Sequence, residues 1–191
     1  VAPWTALPTR VPSRDALRRR TAELEIAQTI DRDALVEHLV AAGYVRMSLV
    51  EEAGEFAVRG GILDIFPPQR RLPVRVELLG DEVESMREFA PSSQRSQLTL
   101  SRVALPPPRE VLLDRTSTVA ASEDLLARSS GIAGSEKEMS SWIDSLLRGH
   151  APAGVEAIAP WLPTQQETVL DFLPEDTLVI IDEADRGREH L

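Results

Sequence analysis

The order of apolar and polar residues changes from a helical repeat to an extended one in the first half of the chain. Asp31 can cap a helix over residues 31–42, and Gly43 supplies the left-handed residue that ends it. The apolar positions of this helix form one stripe: Leu35, Val36, Leu39 and Val40. From Tyr44 the repeat is two residues, which predicts a strand with an apolar face formed by Val45, Met47 and Leu49.

Further strand patterns follow, and each is bounded by turn residues. The segments are 56–59, 62–66, 74–79 and 82–89. The pair Gly60-Gly61 separates the first two, and two glycines at such a place are typical of a tight hairpin turn. Gly80-Asp81 separates the last two in the same way. A helix followed by antiparallel hairpins predicts an α+β fold, with a domain rich in antiparallel strands.

Proline marks a change of pattern near the middle of the chain. The triplet at residues 106–108 lacks backbone donors and favours an extended connector, so we predict a domain boundary there. Beyond it, helices are predicted at about residues 118–128 and from Ser135, which can form a capping box with Glu138. The buried face of the second helix is predicted at Trp142, Ile143, Leu146 and Leu147. The apolar run 178–181 is typical of a short strand buried in a parallel sheet, which indicates part of an α/β domain.

Composition narrows the chemistry that these 191 residues can perform. The sequence has no cysteine, and therefore no disulfide, thiolate nucleophile or thiolate metal ligand. Its histidines are far apart, without a second ligand at a spacing typical of metal sites: His38, His150 and His190. We therefore expect no catalytic residue, no metal and no cofactor. No apolar run reaches the roughly 18 residues of a membrane-spanning helix, so we expect no membrane partner and a cytoplasmic protein.

Positive charge is concentrated in the first 22 residues, which contain five arginines and one acidic residue. The whole chain has 21 Lys and Arg against 31 Asp and Glu, whereas sequence-independent binding to nucleic acid needs clustered positive charge. The run Arg18-Arg19-Arg20 is typical of a solvated helix end. A DNA-binding module built on the arginines of residues 10–20 stays open as an alternative.

An acidic sequence follows the strand predicted at 178–181. Asp182 and Glu183 begin the tetrapeptide Asp-Glu-Ala-Asp, and in P-loop ATPases such residues serve magnesium and the attacking water. ATP hydrolysis also needs the loop G-x-x-x-x-G-K-[ST], which this sequence does not contain. We therefore expect that the chain neither binds nor hydrolyses ATP.

Several motifs along the chain occur in a characteristic order and spacing. They are Gly43-Tyr44-Val45-Arg46, residues 54–68, 73–77 and 80–85, Gln94-Arg95-Ser96, and residues 152–156 and 172–176. This set resembles the N-terminal region of the bacterial transcription-repair coupling factors (Mfd). That region is shared with the excision-repair helicase UvrB, in which the corresponding module binds UvrA. Leu63-Asp64 and Gln94-Arg95-Ser96 favour the coupling factors over UvrB.

The resemblance implies three pieces of a larger protein. Residues 1–22 would be the tail of the first half of a degenerate RecA-like domain, 23–106 an inserted UvrA-binding domain, and 107–191 the start of the second half. A complete coupling factor is an ATP-dependent DNA translocase that acts on stalled RNA polymerase and double-stranded DNA and recruits UvrA. Asp182 and Glu183 would then be remnants of a Walker B sequence. A fragment of a UvrB-type helicase with a working ATP site stays open as an alternative.

The resemblance also assigns UvrA-contacting positions to Arg59, Arg75 and Leu79, the last of which is aromatic in many family members. Strand alternation independently puts Arg75 and Leu79 on one face of a strand. The opposite, core-facing side contains Val74, Val76 and Leu78. We therefore expect outward arginines beside an outward leucine, as suits a protein interface, and we expect the arginines to contribute little to folding.

Overall fold

The structure of the protein is a computed structural model. The residues that it describes are 6–113, 118–119, 122, 136–147, 154–156, 162 and 166–180. The helices in this part are α1 (Arg14–Arg20), α2 (Arg32–Ala42) and α3 (Glu136–Leu147), with a 3-10 helix at Val169–Phe172. The strands are β1 (Arg10–Val11), β2 (Ala22–Glu25), β3 (Val45–Arg46), β4 (Glu55–Arg59), β5 (Ile62–Ile65), β6 (Val74–Leu79), β7 (Glu82–Phe89), β8 (Ser96–Thr99), β9 (Arg102–Leu105) and β10 (Glu167–Thr168). The predicted α+β class is confirmed.

The main sheet of the described residues has six strands in the order β3-β4-β5-β6-β7-β8. Every neighbouring pair from β4 to β8 is antiparallel, as the hairpin pattern predicts. The pair β3-β4 is parallel, in contrast to the expected run of antiparallel strands. A meander of this kind brings residues far apart in sequence side by side in register, and the site described below depends on that register.

The chain divides into two compact units, one of residues 17–112 and one of residues 1–16 and 113–191. In the first unit β2 pairs antiparallel with β9, so that Ala22 lies opposite Leu105. The chain therefore enters and leaves this unit on neighbouring strands, which is the geometry of an inserted domain. In the second unit β1 pairs antiparallel with β10. The boundaries at 22/23 and 106/107 and the RecA-like character of the second unit stay predictions.

The core of the first unit lies between one face of the main sheet, helix α2 and the β2-β9 pair. Its buried residues form one cluster: Leu24, Leu35, Leu39, Ala42, Tyr44, Phe56, Leu63, Ile65, Val74, Val76, Val83, Met86, Val103 and Leu105. The compact unit continues to Leu112, a few residues beyond the proline triplet, and Pro107, Val111 and Leu112 are also buried. The Tyr44 hydroxyl donates a hydrogen bond to the Pro106 carbonyl at 2.8 Å, and burial raises the pKa of Tyr44, which keeps the donor proton in place.

Helix α2 begins and ends where the sequence predicts. The Asp31 carboxylate accepts hydrogen bonds from the backbone N–H groups of Asp33 and Ala34, at 2.9 and 3.0 Å. Gly43 has φ 103 and closes the helix in the left-handed conformation that glycine adopts without strain. The predicted apolar stripe is wrong at Val40, which is 55% exposed, because the buried face follows Leu35, Leu39 and Ala42 at helical spacing.

The strand predicted from Tyr44 is shorter than expected, and neither of its two residues is buried. Only Val45–Arg46 is a strand, and Tyr44 is buried, whereas Val45, Met47 and Leu49 are exposed. A two-residue repeat predicts how side chains alternate, but it does not show whether either face is covered by other elements. The aromatic side chain of Tyr44 goes inward because Gly43 turns the chain back toward α2, where Tyr44 N–H donates to the Leu39 carbonyl.

In the second half of the chain, the burial predicted for α3 is partly confirmed, and the strand predicted at 178–181 is not found among the described residues. Ile143 and Leu146 of α3 are buried as expected, but Leu147 is exposed. The strand predicted at 178–181 is wrong for the described residues 178–180, which are irregular and exposed. An all-apolar strand needs partner strands to bury it, and no strand of the described residues pairs with this run. Ser135 and most of residues 118–128 lie outside the described residues.

The contrast between Leu39 and Val40 gives a test of the core. Leu39→Ala should lower the free energy of unfolding by about 2–5 kcal/mol, because it removes fully buried methyl groups and leaves a cavity. Val40→Ala, the matched control one residue along the helix, should change that free energy by less than about 0.5 kcal/mol. Urea unfolding of both variants is the measurement. Equal losses would contradict this orientation of α2.

Candidate protein-binding site on the outer face of the sheet

The outer face of the main sheet has a row of residues that the strand register aligns. Ala57 of β4 lies opposite Asp64 of β5, Asp64 opposite Arg75 of β6, and Arg75 opposite Arg87 of β7. The neighbouring positions along the same strands, such as Leu63, Val76 and Met86, lie in the core. The register therefore collects charged side chains in the middle of a sheet, on the face opposite the core.

Asp64 is the centre of this row. Its side chain is 1% exposed and accepts hydrogen bonds from two arginines. Arg75 binds it with two nitrogens, Nε to Oδ1 at 2.7 Å and Nη2 to Oδ2 at 2.8 Å. Arg59 adds one bond, from Nη2 to Oδ2 at 2.5 Å. A buried carboxylate of this kind is stable only because cations and donors surround it.

Arg75 is held on every side. Its guanidinium carbon lies 4.5 Å from the centre of the buried Phe89 ring, and Nη2 also donates to the Gln94 side-chain oxygen at 2.8 Å. Hydrogen bonding to Asp64 raises the pKa of Arg75. The side chain is only 16% exposed. Arg75 therefore lies on the outer face, but it is mostly buried and paired with Asp64 rather than freely solvated, and its contribution to folding stays a prediction.

Gln94 reaches Arg75 from a turn between β7 and β8. Its φ is 58, in the left-handed region, and its backbone N–H donates to the Ala90 carbonyl at 2.8 Å. Its side-chain nitrogen donates to the Pro91 carbonyl at 2.9 Å, which turns the side-chain oxygen toward Arg75. The turn thus closes the network over Phe89.

Arg59 and Leu79 are the accessible members of the sequence-predicted set. The Arg59 side chain is 48% exposed at the end of β4, and Leu79 is 71% exposed at the end of β6. The hairpin turn predicted at Gly60-Gly61 is confirmed. It packs against β6, since the Leu78 N–H donates to the Gly61 carbonyl at 2.8 Å, and a Cβ on Gly61 would lie 2.8 Å from the Leu78 carbonyl oxygen. Arg59 and Leu79 therefore share one end and one face of the sheet.

Glu77 anchors a second ionic group beside the first. Its carboxylate accepts from the Ser85 hydroxyl at 2.5 Å and from the Arg87 guanidinium. The Ser85 hydrogen bond is the main cause that lowers the pKa of Glu77, and Arg87 acts in the same direction. Both partners are on β7, so this group ties β6 to β7 on the same outer face.

Other candidate residues lie elsewhere. The side chains of Arg10 and Arg14 donate to the backbone carbonyls of Gln166 and Asp171, and Arg20 donates to that of Ala41. Asp182 and Glu183 lie outside the described residues. Within the described ranges, no group of three His, Asp or Glu side chains could hold a metal ion, and no helix is long and apolar enough to cross a membrane.

Sequence reasoning missed the structural roles of Asp64 and Gln94. Both residues belong to motifs that favour the coupling factors over UvrB, but their contacts with Arg75 depend on the β5-β6 register and on a turn between β7 and β8. One signal was available: an acidic residue between Leu63 and Ile65 interrupts an apolar strand and needs a cationic partner.

Comparison with known proteins agrees with this architecture. The family of UvrB interaction domains matches residues 22–110. The transcription-repair-coupling factor of Myxococcus xanthus is 38% identical over 173 residues, which are 87% of this chain and 14% of that protein. The Bacillus subtilis factor is 30% identical, and the match covers 99% of this chain and 17% of that protein. The Escherichia coli factor is 29% identical, and the match covers 94% of this chain and 15% of that protein.

The matched residues 22–110 correspond closely to the compact unit that contains the Asp64 network, and they define a UvrB interaction domain. The chain spans less than one fifth of the length of these relatives. It belongs to the family of transcription-repair-coupling factors and covers the part that contains this domain.

Breaking the Asp64 pair should destabilise the fold. Arg75→Ala should lower the free energy of unfolding by about 3–5 kcal/mol, because it leaves a buried carboxylate without its bidentate partner. Arg75→Glu should lower it further, since it puts a second carboxylate beside the first. Arg71→Glu is the control, because Arg71 is exposed and has the same charge. Thermal and urea unfolding measure all three; a stable Arg75→Glu variant would contradict the network.

The lowered pKa of Glu77 predicts a dependence of stability on pH. A carboxyl group with a lowered pKa in the folded state stabilises the fold above its ordinary pKa of about 4.3, and this contribution disappears as the pH falls through the folded value. Glu77→Gln should therefore be less stable than the unmodified chain at pH 7, by an amount that shrinks toward pH 3. Urea unfolding at both pH values tests this. A constant difference would show that the Glu77 charge has no role.

Proposed function

We propose that the chain binds UvrA through the outer face of the sheet, with Arg59 and Leu79 as contact residues. The observation that carries the proposal is the position of these two exposed side chains at one end of the domain matched by the UvrB interaction family. An exposed guanidinium and an exposed leucine at the same end of the sheet combine a charged donor with an apolar contact. Such a combination suits a protein surface with carboxylates around an apolar depression.

The larger role follows from the family. As part of a transcription-repair-coupling factor, the chain would recruit UvrA to stalled RNA polymerase in the bacterial cytoplasm. Translocation on double-stranded DNA, driven by ATP, would belong to other parts of the complete protein. This division fits a segment whose described part consists of one sheet domain and elements of a second unit.

The alternative of a DNA-binding module has less support. Arg10, Arg14 and Arg20 each donate one hydrogen bond to a backbone carbonyl, which engages part of each guanidinium group inside the chain. The whole chain has 21 Lys and Arg against 31 Asp and Glu, and this negative balance opposes sequence-independent contact with phosphates. Affinity for DNA that falls steeply with added salt would favour this alternative, and its absence would favour the protein partner.

Charge reversal at the exposed arginine tests the proposed function. Arg59→Ala should weaken binding to UvrA by about 2 kcal/mol, roughly thirtyfold in Kd, and Arg59→Glu by more, because repulsion replaces attraction. Leu79→Ala should weaken it less, since no charge is left unpaired. Calorimetry with purified UvrA is the measurement, and thermal unfolding checks that each variant is folded.

Arg71→Glu again provides the matched control, because it makes the same change on an exposed arginine away from the β4-β5 turn. It should bind UvrA as well as the unmodified chain. Unchanged binding of UvrA by Arg59→Glu would refute the proposed contact. An equal loss of binding in Arg71→Glu would show that the effect comes from net charge and not from the position of Arg59.

A further inference from the structure

Arg59 and Arg75 share the Asp64 carboxylate unequally. Arg75 donates hydrogen bonds from Nε and Nη2 to Asp64 and from Nη2 to Gln94. Its guanidinium group lies over the Phe89 ring. Its accessible fraction is 16%. A partner could reach little of this guanidinium without breaking bonds that the fold requires.

Arg59 has the opposite character. One nitrogen, Nη2, donates to Asp64, and within the described residues Nε and Nη1 have no hydrogen-bond partner. The side chain is 48% exposed, whereas Asp64 itself is 1% exposed and beyond a partner's reach. Arg59 is therefore fixed at one nitrogen and keeps donors for another protein.

The charges of the cluster lead to the same distinction. The guanidinium groups of Arg59 and Arg75 both pair with the single carboxylate of Asp64. The nearby Glu77 carboxylate accepts hydrogen bonds from Ser85 and Arg87. One positive charge is thus left for an outside carboxylate, and it lies on the more exposed arginine. A side chain that is already ordered also loses less rotamer freedom on binding.

We infer that Asp64 and Arg75 are positioning residues that order Arg59, and that of the two arginines only Arg59 contacts the partner. The inference rests on the proposed function, and it separates two residues that the family resemblance treats alike. Arg59 would present Nε and Nη1 to a carboxylate on UvrA. Arg75 would act through Asp64 alone.

A double-mutant cycle tests this coupling. Asp64→Asn keeps the size of the side chain but removes its charge, and it should weaken binding to UvrA about tenfold when Arg59 is present. In an Arg59→Ala background the same change should alter Kd by less than about twofold, although it lowers Tm in both backgrounds. A merely structural role would produce equal losses of binding in the two backgrounds, which would overturn the inference.

Arginine-selective labelling with phenylglyoxal provides a second test on the unmodified chain, should Asp64→Asn not fold. Mass spectrometry should find Arg59 modified in the free chain and protected by UvrA, Arg75 unmodified in both states, and the control Arg71 modified in both. If Arg75 is modified in the free chain and protected by UvrA, the inference is overturned while the proposed function stands. Failure of the unmodified chain to bind UvrA would overturn the proposed function itself, and the inference with it.

Discussion

The buried carboxylate of Asp64 is the constraint on which the outer face of the sheet depends. An isolated charge in a buried position is costly, and here two guanidinium groups compensate it with three hydrogen bonds. Those bonds require β4, β5 and β6 to keep the register that aligns Ala57, Asp64 and Arg75. Electrostatics on one face therefore reinforces the pairing that the apolar core favours on the other face.

The same interaction links stability to the proposed binding. A residue such as Arg75, which is paired with a buried carboxylate, makes a poor probe of an interface, because its loss should destabilise the surface that it supports. Arg59 and Leu79 can be changed with less effect on folding, since one is half exposed and the other mostly exposed. The exposed apolar residues Val45, Met47 and Leu49, by contrast, lie in the edge strand β3 or directly after it.

Local rules predicted much of the fold, and contacts between distant segments account for several of the failures. The cap at Asp31, the stop at Gly43 and the turn at Gly60-Gly61 depend on neighbouring residues and were predicted correctly. The burial of Tyr44 depends on contacts between distant segments. The same is true of Arg75, which is mostly buried although both arginines were expected to be exposed. The run at 178–180 failed for a related reason, because a buried strand is defined by its partners. Arg59 and Leu79 were found through the family resemblance, whereas Asp64 and Gln94 required the three-dimensional register.

Hydrogen–deuterium exchange of the chain, with and without UvrA, tests most directly that the outer face is the binding surface. The account predicts slower exchange upon UvrA binding in the β4-β5 turn and at the end of β6, over residues 59–63 and 77–82. The apolar edge at residues 44–49 and the arginine-rich residues 10–20 should exchange as in the free chain. Protection confined to either of those two segments would contradict the account.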